Sequence, residues 1–275
     1  MMYWFFALIV ILIVFAFGSS IGSFLNVIVY RVPAGLSILW PASRCPKCLH
    51  QLATNDNIPV FGWFLLKGKC RYCHVPIPKR YFLVELATGL LFLLVFAQFG
   101  VNWQTWQYWA FFSWLIALSL IDIDTMTLPN PLTQTGLIVG LAFQVGRGLW
   151  PVVDVNLMIN HLISGMGGAV LGLWLFDLIG LIGAIALGKT AMGGGDAKLL
   201  AMIGAWLGWK YMLLAGFIAC CLGAFSGGLA IALGWLKRGE VMPFGPFLAM
   251  GAMISGMWGD RILNIYLSLF FPSNI

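Results

Sequence analysis

The sequence predicts an all-α polytopic membrane protein of about eight transmembrane helices, with one small cytoplasmic four-cysteine domain. Three observations predict it. Of 275 residues, 61% are hydrophobic and only 9% charged, against about 25% charged in a soluble domain, and the mean hydropathy is +0.95. Several apolar stretches approach or exceed the roughly 20 residues that a spanning helix needs. The remaining polarity is gathered into one segment, residues 29–80, which holds eight of the fifteen basic residues and one acid, Asp56. The net charge of +6 is therefore a topology signal and excludes a nucleic-acid partner.

Residues 3–28 carry no charge. They are too long for a signal-peptide apolar region and lack a basic start, so 1–28 is expected to be an uncleaved first span. It ends in Gly18-Ser19-Ser20-Ile21-Gly22-Ser23, small residues that suit close helix packing. Asn26 and Arg31 mark its exit. The basic residues of 29–80 place that domain in the cytoplasm and the N-terminus outside.

Within it stand Cys45-Pro46-Lys47-Cys48 and Cys70-Arg71-Tyr72-Cys73. Two C-x-x-C pairs at this separation can close four thiolates around zinc. Two disulfides are the competing pattern, against which reducing cytosol argues. Four cysteines leave no open position, so the zinc is structural, folding a segment too short to bury its own core. His50 and His74 are surplus to the site and are read as surface residues. Asn55–Pro59 has the composition of a turn. Cys220 and Cys221 lie in an apolar run and read as packing residues.

Residues 81–275 form the multi-helix membrane domain. Spans are expected at 81–99, 105–121, 131–146, 160–187, 198–209, 211–236 and 243–270. The 198–209 segment is short, and so tilted or partly re-entrant. Glu85 pairs with a basic neighbour or lines a polar path; Asp177 falls within a span, where a carboxylate is costly. Lys189, Lys237 and Arg238 fall on the cytoplasmic side of this count, and so do Asp122, Asp124 and Asp196.

Two acidic stretches carry the chemistry. One is Ile121-Asp122-Ile123-Asp124-Thr125-Met126-Thr127-Leu128-Pro129-Asn130; the other is Ala191-Met192-Gly193-Gly194-Gly195-Asp196-Ala197-Lys198. Helix residues two apart do not face each other, so Asp122 and Asp124 do not form a dyad alone. One of them, paired with Asp196 across a helix interface, can. Two close carboxylates cannot both ionise easily; one takes a proton from water while the other protonates the substrate, the division of labour of an aspartic protease. The glycines let an extended peptide approach the backbone, which makes Gly193, Gly195 and Lys198 candidate substrate- or cofactor-binding residues. A structural or ion-pathway pair of acids is the other reading of the same spacing. A metallopeptidase has no H-E-x-x-H to stand on.

These residues resemble the bacterial type IV prepilin leader peptidases, integral-membrane aspartic peptidases of the GxGD type. The resemblance runs through Gly22–Val27 with Arg31-Val32-Pro33, both cysteine pairs, Asn57-Ile58-Pro59, Arg80-Tyr81 to Glu85, both acidic stretches and Pro243-Phe244-Gly245-Pro246-Phe247. It implies cleavage of the short basic leader of prepilins or pseudopilins at the cytoplasmic face of the bacterial inner membrane. It also implies methylation of the new N-terminus from S-adenosylmethionine, and contact with pilus or secretion assembly components. By the family's D-x(5)-[IL]-P spacing Asp122 is the partner of Asp196, with Asp124 in reserve. Zinc falls to Cys45, Cys48, Cys70 and Cys73. Three other readings stand beside it. They are a presenilin-like protease, disfavoured by the lack of a Tyr-Asp pair at Asp122, a transporter or channel using Glu85 and Asp177, and a scaffold docking a secretion ATPase.

Overall fold

The computed structural model describes residues 2–149, 152–187, 193–237 and 241–270, which are mostly helical with no strand among them. The helices are α1 (Met2–Arg31), α2 (Phe61–Leu65), α3 (Lys79–Phe99), α4 (Trp103–Thr125), α5 (Asn130–Arg147), α6 (Val155–Leu187), α7 (Gly194–Leu207), α8 (Trp209–Ala232) and α9 (Gly245–Phe270). All but α2 have 14 residues or more, and they fall where the eight apolar segments were expected. Five of them, in α1, α3, α4, α6 and α8, are long and apolar enough to cross a bilayer, which makes this a multi-pass membrane protein. Helices α5, α7 and α9 do not meet that standard. Lys189 and Arg238, used as topology markers, lie outside the described residues, as do Ala191 and Met192.

The chain divides into two compact units, one up to Ser113 and one from Trp114 onward. In the first, α1 packs along α3 through glycines. A Cβ at Gly18 would lie 2.8 Å from Phe92 Cβ, at Gly22 2.8 Å from Glu85 Cα, and at Gly89 2.5 Å from Ser19 Oγ. These close approaches fix the two backbones together where apolar burial alone gives little drive. Asn26 donates to the Tyr81 carbonyl at 3.1 Å. Phe92 stacks on Trp109 at 5.0 Å, and the indole N–H of Trp109 donates to the Phe92 carbonyl at 3.0 Å.

The second unit is arranged around α7. Ala197 and all of Leu199–Leu207 are buried, because α5, α6, α8 and α9 pack against the helix; Lys198 is exposed. A Cβ at Gly204 would fall 2.3 Å from the Gly168 carbonyl carbon, and one at Gly172 2.9 Å from the Leu200 oxygen, so α6 and α7 cross backbone to backbone. Fourteen residues make about 21 Å of helix, short of the ~30 Å hydrocarbon core. Gly208, at φ +79°, turns the chain at once into α8. The last turn of α7 is satisfied from within the protein: Gly208 N–H donates to the Gly204 carbonyl at 2.8 Å, and buried Gln144 of α5 donates to that of Trp206 at 2.8 Å. Non-helical backbone inside a membrane protein needs such partners.

Helix α6 is overlong instead. Its 33 residues extend about 50 Å. Asp177 lies about 33 Å from its start and is exposed beside Trp174 and Leu178. It can therefore sit at an interface rather than mid-bilayer, and it faces outward from the unit instead of lining an internal path.

Candidate active site

The first acidic stretch is the end of one helix and the start of the next. Met126 takes a left-handed φ of +53°, and its N–H closes on the Asp122 carbonyl at 2.9 Å, which ends α4. Leu128 and Pro129 then lead into α5, with Pro131 in the first turn, where a missing N–H costs nothing. Asp122 is thus one turn from the end of α4. Two residues subtend about 200° on a helix: Asp122 is 5% exposed, whereas Asp124 is exposed on the other side.

The second stretch starts α7. Gly193 is its N-cap, with extended φ −76° and ψ 141°, and Gly194, Gly195 and Asp196 form the first turn. None of Gly193, Gly194 and Gly195 takes a positive φ. Gly195 serves by having no side chain, since a Cβ there would lie 3.2 Å from Leu128 Cβ. The two stretches are mated at three places. Leu128 lies against Gly195, Lys198 Nζ donates to Asn130 Oδ1 at 2.7 Å, and Asp196 feels the charge of Asp122. Burial and then that charge push Asp196 up to about 6, against the opposing pull of the Gly193 N–H. Asp122 accepts a hydrogen bond from a third quarter: the N–H of Gly245, first residue of α9, meets its Oδ2 at 2.9 Å.

The four cysteines belong to the first unit and form two copies of one turn, 25 residues apart by their numbering. In each, the first cysteine N–H pairs with a carbonyl five residues on (Cys45 with His50 at 3.0 Å, Cys70 with Val75 at 2.9 Å). Its carbonyl takes the N–H of a left-handed residue, Leu49 or His74. Antiparallel bridges Arg44–Gln51 and Lys69–Pro76 close the two turns. All four sulfurs lie within 4.8 Å of one another, with Cys45–Cys73 at 3.7 Å and Cys48–Cys70 at 4.0 Å. A disulfide needs about 2.05 Å; a zinc tetrahedron with Zn–S of about 2.3 Å has edges of about 3.8 Å. The donors fit zinc, and all four are free thiols. The backbone N–H of Cys48, then that of Lys47, helps bring the Cys45 thiol down to about 6, which favours the ligating thiolate.

Side chains outside the expected set tie this module together. Asp56, buried in a short 3-10 turn (Thr54–Asn57), accepts Nε of Arg71 at 3.0 and 3.1 Å together with Nη2. This clamps the linker between the cysteine pairs onto the second pair. His50 stacks on Tyr72 with ring centroids 3.5 Å apart, joining one pair to the other. Glu85 pairs with a backbone amide: its Oε2 takes the N–H of Val60 at 2.7 Å, where Val60 is held at φ +66°. No periodicity announces any of these.

Two sequence patterns mimic other chemistries. Gly18-Ser19-Ser20-Ile21-Gly22 has G-x-S-x-G spacing, but it lies inside α1 and Ser20 Oγ is spent on the Ala16 carbonyl at 2.7 Å. A nucleophile elbow is a strand-to-helix turn. Gly183 to Thr190 has P-loop spacing, yet Gly183–Leu187 are helical in α6 where a P-loop is a loop after a strand; Gly188, Lys189 and Thr190 lie outside the described residues.

Fold and site together define a class: helical multi-pass membrane proteins with two carboxylates brought together at helix ends and a separate four-thiolate module. Comparison with known proteins narrows it. Residues 16–99 match the bacterial peptidase A24 N-terminal domain, and residues 109–228 match the type IV leader peptidase family. Proteins named prepilin leader peptidase/N-methyltransferase are similar throughout. Those of Stutzerimonas stutzeri and Pseudomonas aeruginosa are each 36% identical, over 91% of both chains. That of Aeromonas hydrophila is 36% identical over 94% of both. No solved structure matches significantly. The chain belongs to the type IV leader peptidase family, and it is an enzyme of that kind.

Proposed function

We propose that the chain cleaves the basic leader from type IV prepilins or pseudopilins at the cytoplasmic face of the bacterial inner membrane, and methylates the new N-terminus. The observation that carries the peptidase reading is the mating of the two acidic stretches, which brings Asp122 and Asp196 together inside the segment that matches the peptidase family. Asp122 takes the proton of a water that attacks the scissile carbonyl. Asp196 donates its proton to the carbonyl oxygen. As the tetrahedral intermediate collapses, the C–N bond breaks and a proton passes to the leaving amine. Asp124 is exposed on the opposite side of the helix, which favours Asp122 as the partner. Lys198, fixed on Asn130, and Gly193 and Gly195 are proposed to line the peptide's path.

The orientation follows from the basic segment 29–80. A substrate whose leader is basic and cytoplasmic, and whose next segment is in the membrane, needs its carboxylates at that interface. Zinc, held by Cys45, Cys48, Cys70 and Cys73, supplies a cross-link that folds the module. Methylation rests on the relatives' names. Among the described residues no strand-to-helix glycine turn is present to cradle a nucleotide. The division into a first span 1–28, a zinc domain 29–80 and a membrane domain 81–275 is the functional division we propose.

Mass spectrometry of a prepilin incubated with the purified protein, with and without S-adenosylmethionine, tests the proposal. Loss of the leader, plus about 14 Da only when the methyl donor is present, is the expected result. Leader loss alone removes the methyltransferase half, and normal cleavage by Asp122→Asn or Asp196→Asn protein removes the dyad.

A further inference from the structure

The Pro243-Phe244-Gly245-Pro246-Phe247 stretch lies beyond both family-matched segments, and the catalytic reading above gives it no role. The structure supplies one. Gly245 is the first residue of α9, so its N–H has no partner within the helix. Pro246 has no N–H at all, and the next amide, Phe247, is spent on the Phe244 carbonyl at 3.0 Å. The Gly245 amide points instead at Asp122 Oδ2, 2.9 Å away and buried. The space that oxygen occupies exists because residue 245 has no side chain. A Cβ there would stand 2.7 Å from Oδ2 and 3.2 Å from Asp122 Cγ, so what must yield to it is the Asp122 carboxylate itself. Asp122 thus sits at the N-terminal end of a 26-residue helix, where an anion is favoured.

We infer that Gly245 is the positioning residue of the dyad: its amide commits Asp122 Oδ2 as a hydrogen-bond acceptor, leaving Oδ1 to take the proton of the attacking water while Asp196 carries the shared proton. The inference rests on the Asp122–Asp196 reading. Among the described residues, the charged group that interacts with Asp122 is Asp196, on α7. The first turn of α9, Gly245–Leu248, brings no charged side chain, and Asp124 is exposed farther along α4.

Two variants test it, in full-length protein in lipid nanodiscs with a prepilin substrate. Gly245→Ala should lose at least 100-fold in kcat, because its Cβ displaces the carboxylate. Replacing residue 245 with glycolic acid by nonsense suppression exchanges the N–H for an oxygen and adds no side chain. That ester protein should keep its KM and its thermal midpoint and lose roughly tenfold in kcat. The acidic limb of its kcat/KM profile should move up by about one pH unit. An ester protein with wild-type kcat and an unmoved acidic limb overturns the inference, whether or not Gly245→Ala folds. Asp122→Asn separates this from failure of the dyad: if Asp122→Asn is inactive and the ester is normal, only Gly245 loses its role. If Asp122→Asn cleaves normally, the dyad itself falls.

Discussion

Trp206 and Gly140 form a tight side-chain fit between α7 and α5, and they give a sharp test of why that helix stands where it does. A Cβ at residue 140 would lie 2.6 Å from Trp206 Cδ1, 2.8 Å from Nε1 and 2.9 Å from Cγ, about 1 Å inside normal contact. The indole has little freedom to move. Its N–H donates to the Gly136 carbonyl at 2.8 Å, its face stacks on Phe143 at 5.2 Å, and the side chain is fully buried. Gly140→Ala should therefore cost about 1–3 kcal/mol, which for a chain of this size lowers the thermal midpoint by roughly 2–12 °C. Trp206→Ala removes all three atoms that the added Cβ meets, at a cost of about 3–5 kcal/mol from the void together with the lost hydrogen bond. In the double variant the added methyl enters that void, so the loss should fall short of the sum by about 1 kcal/mol or more. Thermal unfolding in one detergent, followed by the monodisperse fraction on size exclusion, measures all four proteins. A Gly140→Ala midpoint equal to wild type, or strictly additive losses, would refute this account of the α5–α7 contact.

Asp196 must hold a proton to act as the acid, and its value is about 6. Cleavage rate should decline by up to tenfold per pH unit above that point; a rate unchanged to pH 8 sinks the assignment. Because the folded state holds a proton that the unfolded state, at about 3.9, releases, stability should fall as pH rises from about 4 to 6. Asp196→Asn should therefore melt above wild type at pH 7.5 and with it below pH 4, as differential scanning fluorimetry can show. Cys45→Ser should lose the metal, read as zinc per protein falling from one toward zero by plasma mass spectrometry; a stoichiometry that stays at one contradicts the four-thiolate site. Arg71→Met strands the Asp56 carboxylate, whose side chain is 1% exposed, so limited trypsinolysis between the cysteine pairs should accelerate and the Asp56→Asn/Arg71→Met pair should restore resistance. Equal cleavage in both variants means that the clamp is idle.

Helix positions were legible because an apolar run of spanning length leaves few alternatives. The cysteine cluster was legible because two identical spacings state a tetrahedron. The glycine stretch before Asp196 was legible as special but for a different reason. Its described glycines need no unusual backbone, and Gly195 is small because Leu128 lies against it. What stayed hidden depends on partners far along the chain. Gly245 reaches Asp122 across 123 residues, Gln144 reaches Trp206 across 62, and Glu85 reaches an amide in the cysteine module. Backbone amides and carbonyls leave no mark on side-chain patterns, so such contacts cannot be read from them. The facing of Asp177 was not legible in its apolar run; it is exposed, on a helix of 33 residues that is longer than the hydrocarbon core.

The shortness of α7 bears on how the protein is made. A segment of 14 residues that carries a carboxylate and an amine among its first five residues is a weak candidate for entering a bilayer by itself. Its final carbonyls find their donor on Gln144 and their close packing on the glycines of α6. Both of those helices leave the ribosome before α7 does. Helix α7 is thus fitted into a socket that α5 and α6 have already built, and α8 and α9, made after it, close over it. Variants that spoil the socket should be lost to quality-control proteolysis during synthesis, before any of them has the chance to be a poor enzyme.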